Sequence, residues 1–600
     1  MPSDVYRESL GLSTTAGTYP IRLIYSGGDI ATNLAYSYKE PSRTISADST
    51  INLPSSGSSS STNRQLSICT NGVGSNNDCL VDIDTNMIPI KYVGTHSNPK
   101  WVVVTNEEQA NNTGLWYNYS VGNTATEGGG AKWANAVTVQ SNKLQYYKDA
   151  MTDTNPNVEV DNNDVLGYWT YIPRYAYEVQ RRDAVDKPVD SQDFNIVFQT
   201  ANEKNTPLPT TSTGTDHKDY RESNQSHRTY TPGTSQNPNS STTWATHPAF
   251  SWGNTELNGL WVGKYETTGK ITAPTVKPNQ HANISEYIGN FYLAAKSIGV
   301  YDPNNVGGGD SVSSTDSAHR PNLADELTQN SHHLNTATSH MLKNSEWGAI
   351  TYLAHSAYGA GINTSIAYDT NVQRNSAYPN SSADADGTSS RYGITGCGPA
   401  SANETSSRNA YSNGAPLNAD TIESSTACST TNTERSYNGN LGVLASTTNN
   451  TYGIYDTSGG AYEYMTSSYT TTNQSFSSNY FTTKANTPYV DLYKRDDGFN
   501  SRPDWSSGSS SWYYNYDVCT FETCGGSSTY ETNTVQSVSG DYQSWGESYS
   551  LFVNSGSPWF SRGASSNSGS ASPFYTNYIN GSTYASSGFR SALLASPSGQ

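Results

Sequence analysis

The stretch YGIYDTSGGAYEYM, residues 452–465, places two carboxylates around a pair of glycines in a chain that is poor in charge. Asp456 and Glu463 stand seven positions apart, with Gly459 and Gly460 between them. Carboxylate oxygens bind hard cations, and glycines allow the backbone to turn tightly. The stretch is therefore either a turn between two strands or an ion site.

The cysteines suggest disulfide chemistry. They form three local couples, which are Cys69 with Cys79, Cys397 with Cys428, and Cys519 with Cys524. An even count at close spacing favours disulfides made in an oxidising compartment, although six cysteines permit about 15 pairings. A metal site is less favoured, because no CxxC pair and no Cys/His ligand spacing occur. We therefore expect an extracellular or cell-surface protein.

Two other stretches contain residue types that bind metals. His332, His333 and His340 lie close together in SHHLNTATSH, where a transition metal could bind, but a solvated loop is the favoured interpretation. Asp384 and Asp386 in ADADGTSS look like the start of a calcium loop. That loop lacks the distal glutamate of an EF-hand, so we interpret it as a turn.

Charge and composition limit the class of protein and its partners. The formal net charge is -18, and no basic run of five or more residues occurs, so no nucleic-acid partner is expected. Charged residues make up 14% of the chain, against about 25% in typical domains. The 44 tyrosines and 12 tryptophans argue against disorder. The composition predicts a folded, β-rich and loop-rich protein.

Export and anchoring are not encoded in recognisable form. The opening MPSDVYRESLGLS lacks the basic start and apolar run of a secretory signal. No stretch approaches the roughly 18 apolar residues of a membrane helix. If the protein is exported, we expect its targeting segment and its membrane anchor to lie outside this chain.

Changes in composition suggest three regions. Residues 1–95 form a β-rich N-terminal region with a Ser-rich spacer, and residues 96–160 form an accessory region of short strands. Residues 161–600 form the main domain, with polar insertions near 200–245 and 362–447.

Two helices are predicted from apolar residues at helical spacing. The first lies in NISEYIGNFYLAAKSIG, with Asn283 or Ser285 as its N-cap. The second lies in NSEWGAITYLAHSAYG, with Asn344 or Ser345 as its N-cap and Gly359 at its end.

The order of several motifs resembles a known family. The motifs are, in chain order, YWTYIPRYAYEV, HPAFSWGNTELNGLWVGKYETT, the helix that follows NIS, LKNSEWGAITYLAHS, YGIYDTSGGAYEYM, PWFSRGAS and GFRSALL. Together they resemble the formylglycine-generating-enzyme-like (sulfatase-modifying) domain, a variant of the C-type lectin fold, over residues 164–598. The resemblance implies an α+β fold with few helices, short strands and long loops. Bacterial surface and pilin-like proteins carry similar domains.

The resemblance also implies a structural calcium ion. In the family this turn binds calcium through two side chains and two backbone carbonyls, at the positions of Asp456, Gly459, Ala461 and Glu463. Gly460 replaces the family's asparagine, and two tyrosines replace its tryptophans, but these changes remove no ligand oxygen. We therefore expect calcium as the cofactor.

Catalysis is not expected. The family's oxidase needs two copper-binding cysteines between RGGS and GFR, and the matching interval in this chain, residues 562–590, contains no cysteine. Cys519 and Cys524 precede that interval and are interpreted as a loop staple. A formylglycine-generating oxidase remains the least favoured alternative.

The overlapping interval from Trp559 to Tyr584 suggests a binding surface instead. Its Ser, Asn, Gly and Tyr residues are typical of contact surfaces, since tyrosine offers large amphipathic area at low entropic cost. The candidate contact residues are Trp559, Tyr575, Asn577, Tyr578 and Tyr584. The alternative is that these residues, Trp559 above all, belong to the core. Arg562 and Arg590 are expected to brace the fold through buried hydrogen bonds.

Two functions follow as hypotheses. The first is a non-catalytic, adhesin-like bacterial surface protein that binds a protein or glycan through its C-terminal domain. The second is a structural subunit of a pilus, filament or surface layer, with self-assembly into filaments.

Overall fold

A computed structural model describes parts of the 600-residue chain. The described residues are 63–67, 80–95, 98–110, 115–119, 131–152, 157–179, 194–201, 245–302, 323–356, 358–359, 395–397, 436–440, 442–470, 488–494, 525–528, 533–534, 543–544, 548–549, 553, 557, 559–564, 573–584 and 586–595. The chain divides into two compact units, Met1–Ser61 and Thr62–Gln600. The first unit lies outside the described residues, and all of the described elements belong to the second.

Short strands dominate the described elements, and α-helices are few. The strands are Asn63–Ser67 (β1), Leu80–Asp84 (β2), Ile88–Tyr92 (β3), Trp101–Val103 (β4), Asn135–Val139 (β5), Val165–Pro173 (β6), Tyr175–Val179 (β7), Phe194–Phe198 (β8), Ala245–Thr246 (β9), Ser251–Trp252 (β10), Thr255–Glu256 (β11), Gly259–Gly263 (β12), Thr268–Lys270 (β13), Ala273–Thr275 (β14), Thr338–Met341 (β15), Tyr462–Thr470 (β16), Asp491–Lys494 (β17), Asn533–Thr534 (β18), Gln543–Ser544 (β19), Ser548–Tyr549 (β20), Trp559–Arg562 (β21), Thr576–Ile579 (β22), Ser587–Phe589 (β23) and Ser591–Leu594 (β24). The α-helices are Asn106–Ala110 (α1), Ser141–Thr152 (α2), Ile288–Ser297 (α3), Leu323–Glu326 (α4) and Asn344–Ala354 (α5). The predicted α+β class is confirmed.

The largest sheet has seven strands in the order β15-β24-β12-β6-β5-β3-β4, and every neighbouring pair is antiparallel. Its middle strand β6 reads VLGYWTYIP, a run of β-branched and aromatic residues that is buried along almost its whole length. Thr170 of β6 pairs with Asn135 on one side and Val262 on the other. The sheet joins strands from residues 88–103 with strands from residues 165–594, so it crosses the region boundaries suggested by the sequence.

A five-stranded sheet carries the C-terminal motifs. Its order is β17-β16-β21-β22, and β23 pairs in parallel with the first residues of β16. β23 and β24 are separated by a single residue, Arg590. Arg590 therefore lies where the chain passes from the five-stranded sheet to the seven-stranded sheet.

Both predicted helices are confirmed, but their caps are wrong. Helix α3 begins at Ile288, with the extended Tyr287 as its N-cap. Helix α5 has Lys343 as its N-cap, and the Lys343 N–H donates to the Glu346 carboxylate at 2.9 Å. Glu346, at the third helical position, therefore accepts from the backbone N–H of the N-cap residue. No Ser or Asn cap is needed for this contact, and the sequence pattern did not reveal it. In the described ranges, no helix has the length and apolar content needed to cross a bilayer.

Asp84, at the end of β2, ties the early strands to the segment before β15. Its two buried carboxylate oxygens accept from the backbone N–H groups of Asn86, Asn335, Thr336 and Ala337, at 2.7–3.0 Å. A hydrogen bond to a charged acceptor contributes about 1.5–3 kcal/mol to stability, which is more than a bond between neutral groups contributes. The carboxylate therefore fixes a loop that lies about 250 positions away in sequence.

Replacing Asp84 by Asn should lower the free energy of unfolding by about 1.5–3 kcal/mol, because one amide oxygen must replace two charged acceptors. Urea unfolding measures this change. Asp149→Asn is the matched control, since Asp149 is exposed and accepts one bond from Gln145. Equal losses for the two variants would contradict the role of Asp84 in fixing the loop.

Candidate functional site

The segment from Asp456 to Ala461 forms a tight turn that leads into β16. Asp456, Gly459 and Gly460 all have positive φ, at 63°, 84° and 68°. The Gly459 N–H donates to the Gly563 carbonyl at 2.9 Å. The late C-terminal segment therefore lies directly against the turn.

Three fully buried carboxylates, Glu266, Asp456 and Glu463, form what we call the acidic cluster. Asp456 Oδ2 accepts from Thr395 Oγ1 at 2.6 Å and from the Gly396 N–H at 2.5 Å. Glu266 Oε1 accepts from the Ala461 N–H at 2.7 Å, whereas its buried Oε2 has no hydrogen-bond partner among the described residues.

Arg590 supplies the positive charge at this cluster. Its Nε donates to Glu463 Oε2 at 3.0 Å, and its Nη2 donates to Glu463 Oε1 at 2.5 Å. The guanidinium also donates to the Gly263 carbonyl at 2.9 Å and the Tyr455 carbonyl at 2.8 Å. Because Gly263 ends β12 and Glu463 lies in β16, Arg590 joins both sheets. Its predicted bracing role is confirmed.

The acidic cluster holds more acid than base. Burial raises the pKa of Glu266 well above its ordinary value, and the charges of Asp456 and Glu463 raise it further. Burial also raises the pKa of Glu463, and Arg590 opposes that rise. A bound cation or a proton would reduce the repulsion among the three carboxyl groups.

The donor chemistry of the turn suits calcium. The residues that would hold the ion are Asp456 and Glu463 through carboxylate oxygens, and Gly459 and Ala461 through backbone carbonyls. Within the described part of the chain, no three His, Cys, Asp or Glu side chains lie close enough together to hold a metal. A calcium site in this turn would therefore depend on the backbone carbonyls as much as on the side chains.

Glu266 was not singled out from the sequence as a site residue. The available signal was its place in WVGKYETT, where a single acidic residue follows an apolar strand. Buried carboxylates need a partner, so an acidic residue at that position indicates a specific contact.

The five candidate contact residues differ in exposure. Trp559 and Tyr575 are each 3% exposed, so both rings pack into the interior. Asn577 and Tyr578 are half-buried, and Tyr584 is 41% exposed. Among the described residues of this interval, those with exposed surface lie within residues 577–584, which we call the tyrosine segment.

Hydrogen bonds within the tyrosine segment hold its polar groups in place. Asn577 Nδ2 donates to Tyr575 Oη at 3.0 Å, and Asn577 Oδ1 accepts from the Tyr578 N–H at 2.8 Å. Asn580 Oδ1 accepts from Tyr584 Oη at 3.2 Å. A fixed arrangement of amides and phenols loses less conformational entropy when it binds a ligand.

The three histidines do not form the solvated loop that the sequence favoured. His332 is buried and bonded, with Nδ1 2.7 Å from Thr138 Oγ1 and Nε2 3.0 Å from the Pro274 carbonyl. His340 is also buried and bonds Glu346 through Nε2 at 2.9 Å. Because the two residues have separate partners, the described contacts do not bring them together as metal ligands.

The burial of His332 predicts an acid-sensitive step in stability. Burial lowers the pKa of His332 to about 4, with a smaller contribution from His333. The unfolded chain takes up this proton below about pH 6.5, whereas the folded protein takes it up only below about pH 4. Stability should therefore fall as pH falls through this window, by up to about 1.4 kcal/mol per pH unit for this proton.

His332→Gln should flatten that slope, since the amide can accept from Thr138 and donate to Pro274 without titrating. Chemical unfolding measured at intervals from pH 7 to 4 gives the slope. A His332→Gln profile with the wild-type slope would contradict this assignment. Burial also lowers the pKa of His247, to about 3, so part of the slope should remain in the variant.

Cys397 is disulfide-bonded. Its predicted partner Cys428 and the other four cysteines, Cys69, Cys79, Cys519 and Cys524, lie outside the described residues. The turn predicted at Asp384 and Asp386 also lies outside them.

Arg562, the first residue of the cysteine-free interval, is fully buried. Its Nη1 donates to Asn344 Oδ1 at 3.0 Å and to the Ser527 carbonyl at 3.2 Å. The predicted bracing role of Arg562 is therefore confirmed.

Comparison of the chain with protein-family models and with curated proteins finds no match.

Proposed function

We propose that the protein is a non-catalytic, adhesin-like bacterial surface protein that binds a protein or glycan through the tyrosine segment. The observation that carries this proposal is the partial exposure of Tyr578 and Tyr584 beside amide groups held by local hydrogen bonds. Aromatic rings stack on the apolar faces of sugars or anchor a protein partner, while amides bond to hydroxyl groups.

The proposed scaffold is the C-type lectin fold of the formylglycine-generating-enzyme type. Its support is the order of the sequence motifs together with the packing of the late segment on the Asp456 turn. Glu463 of β16 pairs with Arg562 of β21, which places the first residue of the cysteine-free interval beside that turn.

The proposed cofactor is one structural calcium ion in the turn, bound by Asp456, Gly459, Ala461 and Glu463. The support is the excess of buried acid at the acidic cluster and the backbone conformation of the turn. Metal analysis after dialysis, followed by thermal melts with and without chelator, tests it. Bound calcium and a lower melting temperature after chelation are expected, whereas identical melts without bound metal would refute the site.

An array of glycans and extracellular-matrix proteins, probed with the labelled wild-type chain, tests the proposed function. We expect saturable binding to one ligand class. Electron microscopy of the same sample tests the alternative function, a structural subunit of a pilus or surface layer. Ordered filaments without ligand binding would favour that alternative.

A further inference from the structure

Lys264, immediately after β12, has a fully buried amine in an unusual environment. Its Nζ donates to Asn135 Oδ1 at 2.8 Å and to the Gly453 carbonyl at 2.8 Å. The rings of Trp101 and Tyr455 lie 5.3 and 5.6 Å from Nζ. Among the described residues, no carboxylate forms an ion pair with this amine.

A buried ammonium group without an anion is costly, since the desolvation penalty reaches several kcal/mol per ion. Burial accordingly lowers the pKa of Lys264 well below its ordinary value. Desolvation of this kind favours the neutral amine, which is the nucleophilic form of lysine.

Asn135, in β5, presents the group that such an amine can attack. Its side chain is fully buried, and Nδ2 donates to the Trp133 carbonyl and the Tyr452 carbonyl, each at 2.8 Å. Because the Nδ2 group donates to these two carbonyls, the side-chain oxygen Oδ1 is the atom that faces Lys264 Nζ.

Asn135 lies in β5, and Lys264 directly follows β12. Asn135 and Lys264 are 129 positions apart in sequence and meet across β6, the middle strand of the seven-stranded sheet. Well-oriented intramolecular groups react with effective molarities of about 10⁵–10⁸ M. Prolonged contact between this amine and this amide therefore favours reactions that are slow between free molecules.

We propose that Lys264 and Asn135 form an intramolecular isopeptide bond. In this reaction Nζ attacks Asn135 Cγ, the Nζ–Cγ bond forms, the Cγ–Nδ2 bond breaks, and Nδ2 leaves as ammonia. One proton passes from Nζ to the departing nitrogen, and no oxidant or reductant is needed. The N–H that stays on Nζ can still donate to the Gly453 carbonyl.

The product would join β5 to β12 across β6 and remove a buried ionisable group from the core. A covalent link between distant positions also restricts the unfolded chain, as a disulfide does. This inference concerns the core and does not depend on the proposed ligand binding.

Mass spectrometry of the folded, full-length wild-type chain tests the proposal. After denaturation and reduction, the intact mass should fall short of the sequence mass by one ammonia molecule. A tryptic digest should give one branched peptide that contains Asn135 and an uncleaved Lys264. Lys264→Met and Asn135→Ala should each restore the full mass and the linear peptides.

Lys148 and Asn86 are the internal control in the same digest. Lys148 Nζ lies 2.6 Å from Asn86 Oδ1, but both residues are half-buried, so their peptides should remain separate. The folded wild type is incubated for several days before digestion. If the Lys264 and Asn135 peptides are then still linear, as the Lys148 and Asn86 peptides are, the proposal is overturned. The wild-type result decides the question even if a variant fails to fold.

Discussion

Replacing Arg590 by Met is expected to lower the free energy of unfolding by about 3–5 kcal/mol, because it leaves Glu463 buried without its cation. The loss should be large because the nearby charge of Asp456 already opposes the ionised form of Glu463. The guanidinium also bonds the Gly263 carbonyl of the seven-stranded sheet. Urea unfolding followed by tryptophan fluorescence measures the change.

Lys100→Met is the matched control for charge loss. Lys100 pairs with Glu159 at 2.8 Å, but the two side chains are 38% and 54% exposed, so the loss should stay below about 1 kcal/mol. The double variant Arg590→Met with Glu463→Met should recover part of the stability, since it leaves no unpaired charge from this pair. Similar losses for Arg590→Met and Lys100→Met would contradict the central position of Arg590.

Gly460→Ala is expected to destabilise the protein by about 2–5 kcal/mol. Its φ of 68° costs an L-residue about 1–2 kcal/mol. An added Cβ would also lie 2.4 Å from Glu266 Oε1, and overpacking adds about 1–3 kcal/mol. The carboxylate cannot move aside freely, because it is buried and accepts from the Ala461 N–H.

Gly253→Ala separates the two contributions. Gly253 has a φ of 58°, but the nearest atoms to its added Cβ belong to Pro488 at 3.8 Å, which is ordinary contact. This variant should therefore show only the backbone cost of about 1–2 kcal/mol. If Gly460→Ala loses no more stability than Gly253→Ala, the Glu266 carboxylate does not pack closely against the turn.

The sequence predicted both helices because helices depend on local patterns of apolar residues, whereas the α+β class was implied by the order of the motifs. The apolar spacing in NSEWGAITYLAHSAYG marks α5, whose residues are all buried. The caps were wrong because the capping group at Lys343 is a carboxylate three positions later. The extent of the seven-stranded sheet was missed because β12 pairs with β6 and with β24, both of which lie far from it along the chain.

The candidate site was predictable only in part. The motif identified Asp456 and Glu463, but it did not reveal that Glu266 would lie against the same turn, since that contact spans 195 positions. The buried state of Trp559 was left open, because composition cannot separate a core tryptophan from a surface one. Exposure of Tyr584 became visible only with the fold.

The most direct test of the proposed binding function is the affinity of the tyrosine segment for the ligand class found on the array. The dissociation constant should rise at least about tenfold, or 1.4 kcal/mol, when Tyr578 and Tyr584 are both replaced by alanine. Tyr146 and Tyr301, which are 57% and 49% exposed elsewhere on the chain, provide a matched double-alanine control that should bind as the wild type does. Equal affinities for all three proteins, or no ligand for the folded wild type, would contradict a binding function for this segment.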